Sequence, residues 1–389
     1  MGRTASLFLA GSLAALAATP AGRGTAKGAL VLCEILPSPV HPLSAVSPAP
    51  RVTRISLPHG EADLYEGRPG APGVVVVHGA NVGGITDPRI AGLAGAFCRV
   101  GRTVMAPALV LAERRLDMAD LARIRDAIDA LADQTGPVVV VTFSYGSALA
   151  LCALAERPSI QGRVRALATI GTYFDLVHVI EGVTTGSVVV DGVLHPWAPP
   201  ASALGQVTPL LAGFLGGEEA SAIQKALATD DPAGLSAGAA AVYHVITNRN
   251  PRRVVGLVAD LPEPIRGTLE RLSPAAHIDG VRVPVFALHS RLDPAAPAIE
   301  SVELVRAIRR RGRARLTLVG AFNHVTPAGG HLSRLRDAPG LVRFAGTLLR
   351  AQEAWVPGTA RRPPGQRRPA HPARVAAPVG GPGGPPPQQ

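Results

Sequence analysis

The stretch Gly136–Glu156, GPVVVVTFSYGSALALCALAE, decides the fold. Four consecutive valines, Val138 to Val141, form an apolar, β-branched run too short for a helix, and it reads as a buried strand. The chain then passes through Thr142, Phe143, Ser144, Tyr145 and Gly146 straight into an apolar helical segment. A hydroxyl on such a strand-to-helix turn is held above the C-terminal edge of a sheet, with the next residue's amide near a helix N-terminus. Gly146 suits that turn because a side chain would crowd the close strand-helix crossing. Thr142 occupies the first position of the usual Gly-x-Ser-x-Gly pattern. Taken alone, the segment therefore leaves Ser144 open as a nucleophile or as a helix cap.

Outward from this segment, strands alternate with helices. GVVVVHG (73–79) and RTVMAPAL (102–109) read as strands, and DMADLARIRDAIDALADQ (117–134) places Leu121, Ile124, Ile128 and Leu131 at helical spacing. RVRALATIGTYFD (163–175) supplies the next strand. VRVPVFALHSRLDP and ARLTLVGAFNHVTP are two later strand-plus-loop units, separated by the helical AIESVELVRAIRRRG. This alternation predicts an α/β fold, a mostly parallel sheet between helical layers.

Three further loops sit just beyond strands. His78-Gly79-Ala80-Asn81 follows the strand ending at Val77 and can turn an amide of Ala80, or alternatively Asn81, inward. Asp293 follows PVFALH, and His324 follows RLTLV. The chain order Ser144, Asp293, His324, with each member beyond a strand, resembles the serine α/β-hydrolase superfamily, in particular its dienelactone-hydrolase-like and prolyl-peptidase-like esterase branches. The resemblance spans about 51–350. It implies Ser144 as nucleophile, His324 as general base and then acid, Asp293 as the residue orienting the imidazole, and the amides of Tyr145 and Ala80 as the oxyanion hole. It also implies cleavage of a carboxylic ester through an acyl-enzyme. The alternatives are a noncatalytic interaction protein of the same fold, or an amidase or acyltransferase using the same triad.

Asp175 ends another strand and competes with Asp293 for the acid role, although a strand-end Asp is often only a helix cap. His289 falls at the end of a hydrophobic strand and reads as a packed or loop residue. His178, His195, His244 and His277 are widely spaced, without HExxH or clustered carboxylates, so no metal is expected. HGANVGG lacks the Lys-Ser/Thr ending of a phosphate loop and the dinucleotide glycine spacing, so no cofactor is expected. The interval of about 176–279 is too long for a simple connection and reads as a helical cap, whose Leu, Phe and Trp residues suggest a pocket for a small-molecule ester with an apolar acyl or aryl part. Arg252 and Arg253 within it suit an anionic contact or a solvated face.

Of 389 residues, 47% are hydrophobic and 17% charged, enough for one large core. The net charge is +11, with Lys only at Lys27 and Lys225, and the Arg are scattered or in the tail. With aromatics at 4%, no specific nucleic-acid site is expected. Cys33, Cys98 and Cys152 lack CxxC spacing. The start, with Arg3, an apolar stretch over 5–18 and small residues at Ala15 and Ala17, has the order of a secretory signal, and the second apolar patch GALVLCEIL (28–36) offers further membrane contact. Residues 1–28 are thus expected to be a signal or membrane-associated segment, placing the protein outside the cytoplasm or at a membrane surface, with a cytoplasmic location as the alternative. Residues 29–50 read as a Pro-rich lead-in, and 356–389 as a disordered basic tail.

Overall fold

The structure, a computed structural model, describes residues 19–37, 41–110, 117–328 and 331–353. The apolar start over 1–18 and the tail over 356–389 lie outside the described residues. Helix α1 (Pro20–Ile35) opens with Pro20 in its first turn, and Thr19 Oγ1 accepts from the Gly22 amide at 3.0 Å. An antiparallel hairpin follows, β1 (Val52–Leu57) and β2 (Gly60–Tyr65), and then β3 (Gly73–Val77), α2 (Pro88–Arg99) and β4 (Thr103–Pro107). Next come α3 (Ala119–Thr135), β5 (Val138–Phe143), α4 (Tyr145–Glu156) and β6 (Val164–Ile170).

An insertion separates β6 from the next strand of the main sheet. It contains α5 (Leu176–Thr185), the hairpin β7 (Ser187–Val190) and β8 (Val193–Pro196), and α6 (Ala203–Ala212), α7 (Gly217–Thr229), α8 (Ala237–Thr247), α9 (Val254–Ala259), α10 (Glu263–Arg271) and α11 (Pro274–His277). The sheet resumes with β9 (Val285–Ser290), α12 (Ile299–Arg309) and β10 (Ala314–Val319). Two short strands, β11 (Phe322–Asn323) and β12 (Thr326–Pro327), lead to α13 (His331–Glu353).

The main sheet has eight strands in the order β1-β2-β4-β3-β5-β6-β9-β10. β2 runs antiparallel to both β1 and β4, and every other pairing is parallel. Helices cover both faces, and the α5–α11 insertion forms a cap, so the architecture is the α/β-hydrolase fold.

The valine runs show why both faces are covered. Side chains alternate across a strand, so Val75, Val77, Val138 and Val140 join one core with Leu121, Ile124, Ile128 and Leu131 of α3. Val74, Val76, Val139 and Val141 join the other, with Leu93 and Phe97 of α2 and Leu348 of α13. Each fully buried valine or leucine contributes about 1.5–3 kcal/mol, and a strand hydrophobic on both sides is stable only between two layers.

Two hairpins go beyond the sequence reading. β1 and β2 carry Arg54, Glu61 and Asp63 among their apolar residues, so no continuous hydrophobic run marks them. β7 and β8 turn on Asp191 (φ 50°) and Gly192 (φ 78°), the left-handed pair that an Asp-Gly hairpin turn requires.

The expected membrane-held or exported N-terminus is corrected here. Among the described residues, no helix is long and apolar enough to cross a membrane. The patch 28–36 is instead taken up by α1, which packs lengthwise on α13 and buries Val31 in the core of that face. The helices approach so closely that a Cβ on Gly28 would stand 2.6 Å from the Gly346 nitrogen. Residues 20–28, assigned from sequence to a signal or membrane segment, are thus part of the folded body, because their apolar and small residues are committed to helix-helix packing. α1 also runs across the expected boundary between 28 and 29.

Candidate active site

Ser144 sits between β5 and α4 with φ 50° and ψ −128°, a backbone conformation that L-residues rarely adopt and that costs on the order of 1–3 kcal/mol. Its amide donates to Ile170 O at 2.7 Å, and its carbonyl accepts from the Ser147 amide at 2.9 Å, so the turn is held from both sides. Gly146 has no room for a side chain, because a Cβ there would collide with the His78 carbonyl oxygen. Thr142 is fully buried at the elbow's usual glycine position. Its hydroxyl donates to Ala168 O at 2.7 Å and lies 2.9 Å from Ser147 Oγ, so the departure is absorbed by hydrogen bonds between β5, β6 and α4.

The structure brings the three predicted residues into one chain of contacts. His324 Nε2 lies 2.8 Å from Ser144 Oγ, and His324 Nδ1 lies 2.8 Å from Asp293 Oδ2 and 3.0 Å from Oδ1. A carboxylate only accepts, so Nδ1 carries a proton and Nε2 is free to accept from the serine hydroxyl. His324 also has a positive φ, 58°, and its ring packs beside Gly171, where a Cβ would stand 3.0 Å from the imidazole.

Asp293 is buried, and Oδ1 accepts from the Ala295 and Ala296 amides at 2.8 and 3.0 Å. Burial by itself raises its pKa. Hydrogen bonds from His289 and His324 outweigh that effect and hold the carboxyl well below the usual carboxylate range. Asp175, the competing acid, accepts from the Val177 amide at 2.8 Å and caps α5.

His289 is packed, as its place at the end of a hydrophobic strand suggested, but sequence reasoning missed its contact with Asp293. It is fully buried, with Nε2 3.1 Å from Ala296 O and 3.3 Å from Asp293 Oδ2, and Nδ1 2.6 Å from Ser301 Oγ. Both neighbours of Nε2 are acceptors, so Nε2 is protonated and Ser301 donates to Nδ1. The four-residue spacing of His289 and Asp293 across the end of β9 was the available signal. His78 is a second such residue. Its Nδ1 donates to Gly79 O at 2.7 Å and its Nε2 accepts from the Leu109 amide at 3.3 Å, so this buried imidazole fixes the loop after β3. Burial pushes its pKa down, which keeps it neutral.

That loop lies against the serine, with a Cβ on Gly79 falling 2.9 Å from Ser144 Cβ. The Asn81 amide donates to Gly79 O at 2.9 Å and is therefore occupied. The amides of Ala80 and Tyr145 have no protein partner among the described residues. The Tyr145 ring turns the other way, onto Tyr173, with centroids 5.3 Å apart.

A cavity of about 550 Å³ opens at Ser144 and His324. Its walls come from α1, α2, α13 and the loops after β3 and β10, and no residue of 176–279 lines it. The cap meets the site elsewhere, where Trp197 Nε1 donates to the Asp293 carbonyl at 2.7 Å. Arg252 and Arg253 are exposed on the cap and do not line the cavity. All three cysteines are free, and burial pushes the Cys152 thiol up to about 12.

No protein-family model matches the chain. No curated protein matches it either. Among solved structures, the chain is similar to the Pyrococcus horikoshii acylaminoacyl peptidase, at 14% identity and a TM-score of 0.43, over 77% of this chain and 39% of that one. It is similar to Est1E from Butyrivibrio proteoclasticus, at 14% identity and a TM-score of 0.43, over 78% of this chain and 99% of that one. It is also similar to the thermophilic carboxylesterase EstE1 cloned from a metagenomic library, at 16% identity and a TM-score of 0.42, over 80% of this chain and 92% of that one.

Proposed function

We propose that the protein is a serine hydrolase that cleaves carboxylic esters through an acyl-enzyme, with Ser144 as nucleophile, His324 as general base and acid, and Asp293 as the residue orienting the imidazole. The observation that carries this reading is the unbroken contact chain from Ser144 Oγ through His324 to the ionised Asp293. Ser144 Oγ attacks the ester carbonyl carbon while its proton passes to His324 Nε2. The amides of Tyr145 and Ala80 donate to the oxyanion of the tetrahedral intermediate. Collapse breaks the bond to the alcohol oxygen, which takes the proton from His324 and departs. A water molecule then loses a proton to His324 and attacks the acyl carbon, and the returning proton restores Ser144 as the carboxylic acid leaves.

An ester, rather than a peptide, is favoured by the cavity beside Ser144. Its walls are mostly apolar side chains such as Val141, Leu288 and Leu341, and the charged side chains among them, Glu34, Asp87 and Arg89, already have partners within the protein. The test is labelling by a fluorophosphonate probe together with turnover of an ester panel and an amide panel. Wild type is expected to be labelled and to cleave esters, and Ser144→Ala is expected to lose both properties while remaining folded. Labelling at a different serine, or no labelling of the folded protein, would overturn the assignment. Labelling with amide turnover alone would replace the ester by an amide as substrate.

A further inference from the structure

The cavity at Ser144 does not stop at the mouth of the site. It runs from Ser144 and His324 past Phe143 and Ile170 and down between α1, α2 and α13, where Leu32, Leu93 and Phe344 face it. Phe143, Ile170 and Phe344 stand on the inside of a covered sheet face, yet each keeps partial exposure. Such exposure at well-packed core positions marks an unfilled channel, since protein interiors otherwise leave few voids larger than a water molecule. The charged residues on its lining are engaged. Glu34 accepts from the Leu43 and Ser44 amides, and Asp87 is paired with Arg89. Among the lining side chains, only Asn81, at the mouth beside Ala80, has a buried polar atom without a partner among the described residues, and the stretch between α1, α2 and α13 is apolar.

We infer that this channel holds the acyl chain of the substrate, and that the esters cleaved are those of medium- to long-chain fatty acids, with α1 as the wall that sets chain length. This inference rests on the hydrolase reading of Ser144. At roughly 30 Å³ for each water-sized group, 550 Å³ accommodates a chain on the order of ten to eighteen carbons. The volume also falls within the range of about 300–1,000 Å³ of small-molecule sites. The acyl part, and not the alcohol, suits the channel for a kinetic reason. The acyl group stays bonded to Ser144 until water attacks, whereas an alcohol threaded between α1 and α13 would have to back out past the acyl-enzyme before deacylation.

The test uses the full chain and p-nitrophenyl esters from acetyl to palmitoyl. kcat/KM is expected to rise by up to about fourfold per methylene until the channel is filled. Acetate esters of alcohols of increasing length should show no comparable rise. Leu32→Trp narrows the channel from α1 and should lower the long-to-short preference at least tenfold, and Ile35→Trp, nearer the helix surface, provides a second block if the first variant fails to fold. Binding is read separately on Ser144→Ala with cis-parinaric acid as the fluorescent probe. The bound probe should be displaced by palmitate and should bind at least tenfold more weakly when Leu32→Trp is added. Acetyl ester turnover with a flat chain-length profile would overturn the channel while leaving the hydrolase intact, as would a rise that follows the alcohol instead. Absence of both fluorophosphonate labelling and ester turnover would overturn the hydrolase reading, and the parinaric acid arm would still decide whether the channel takes a fatty chain.

Discussion

His289 Nε2 lies 3.3 Å from Asp293 Oδ2, so the carboxylate that holds His324 is shared by two imidazoles, one facing the serine and one sealed in the core with Ser301. In the proposed mechanism His289 is a positioning residue that fixes the acid from the core side. His289→Leu is expected to lower kcat about tenfold with little change in KM. With one hydrogen-bond donor gone, the Asp293 pKa should move back up toward the ordinary carboxylate range, as read by NMR titration of its carboxyl carbon. An Asp293 titration that does not move would mean that His289 serves packing alone.

Thr142 ties β5 to β6 and α4 through its hydroxyl. Thr142→Val keeps the shape and removes the donor, and should cost on the order of 1 kcal/mol in urea unfolding while fluorophosphonate labelling persists. Thr142→Gly restores the usual elbow pattern but should be less stable than Thr142→Val, since it adds backbone freedom and a void. A more stable glycine variant would contradict the structural role given to the hydroxyl.

Gly146 faces the His78 carbonyl, a backbone atom that cannot rotate away. Gly146→Ala should therefore destabilise the protein by at least about 1–3 kcal/mol, the range for forcing a methyl group into a packed crossing. Thermal unfolding of the variant checks this, and an unchanged midpoint would show that the turn can open without loss.

His178 and Glu300 tie the start of the cap to α12. The buried Glu300 carboxylate accepts from the Phe174 and Asp175 amides and from His178 Nδ1 at 2.9 Å. Burial opposes the charge on His178, but the hydrogen bond and the charge of Glu300 prevail and raise its pKa to about 9. A folded-state pKa above the unfolded value of about 6.5 stabilises the protein fully below the unfolded value, and that stabilisation is lost as pH rises through about 9. The stability advantage of wild type over His178→Gln should thus be on the order of 2–3 kcal/mol at pH 6 and should shrink steadily toward pH 10, as read by urea midpoints. A pH-independent difference would show that the pair carries no linked proton.

Some of the fold could be read locally because it was written in short periods. The valine runs at 74–77 and 138–141 alternate between two cores, the stripe of Leu121, Ile124, Ile128 and Leu131 has helical spacing, and strand, turn and helix adjoin at Ser144. Backbone geometry then forces any residue just beyond a parallel strand toward the same sheet edge, which is why Ser144, Asp293 and His324 could be grouped before their distances were known. The hydrogen bonds of His289 and His78 were not legible because they depend on what surrounds each ring in three dimensions. A histidine beside a valine strand looks the same whether it packs, caps or orients a loop.

By itself, the sequence determined the α/β alternation, the position of the strand-to-helix turn and the chain order of its three polar loops, since each depends on residues within one or two elements of each other. Only the tertiary structure decided the fate of residues 20–36. An apolar stretch lowers its free energy by leaving water for lipid or for protein, and composition alone does not distinguish the two. The partner that settles it, α13, lies at the other end of the described chain, and the close contact of Gly28 with Gly346 is invisible to any local pattern. The same long-range packing moved the apolar wall beside Ser144 from the cap, where the sequence suggested it, to α1, α2 and α13, because a cavity is defined by the gap between elements and not by the composition of any one of them.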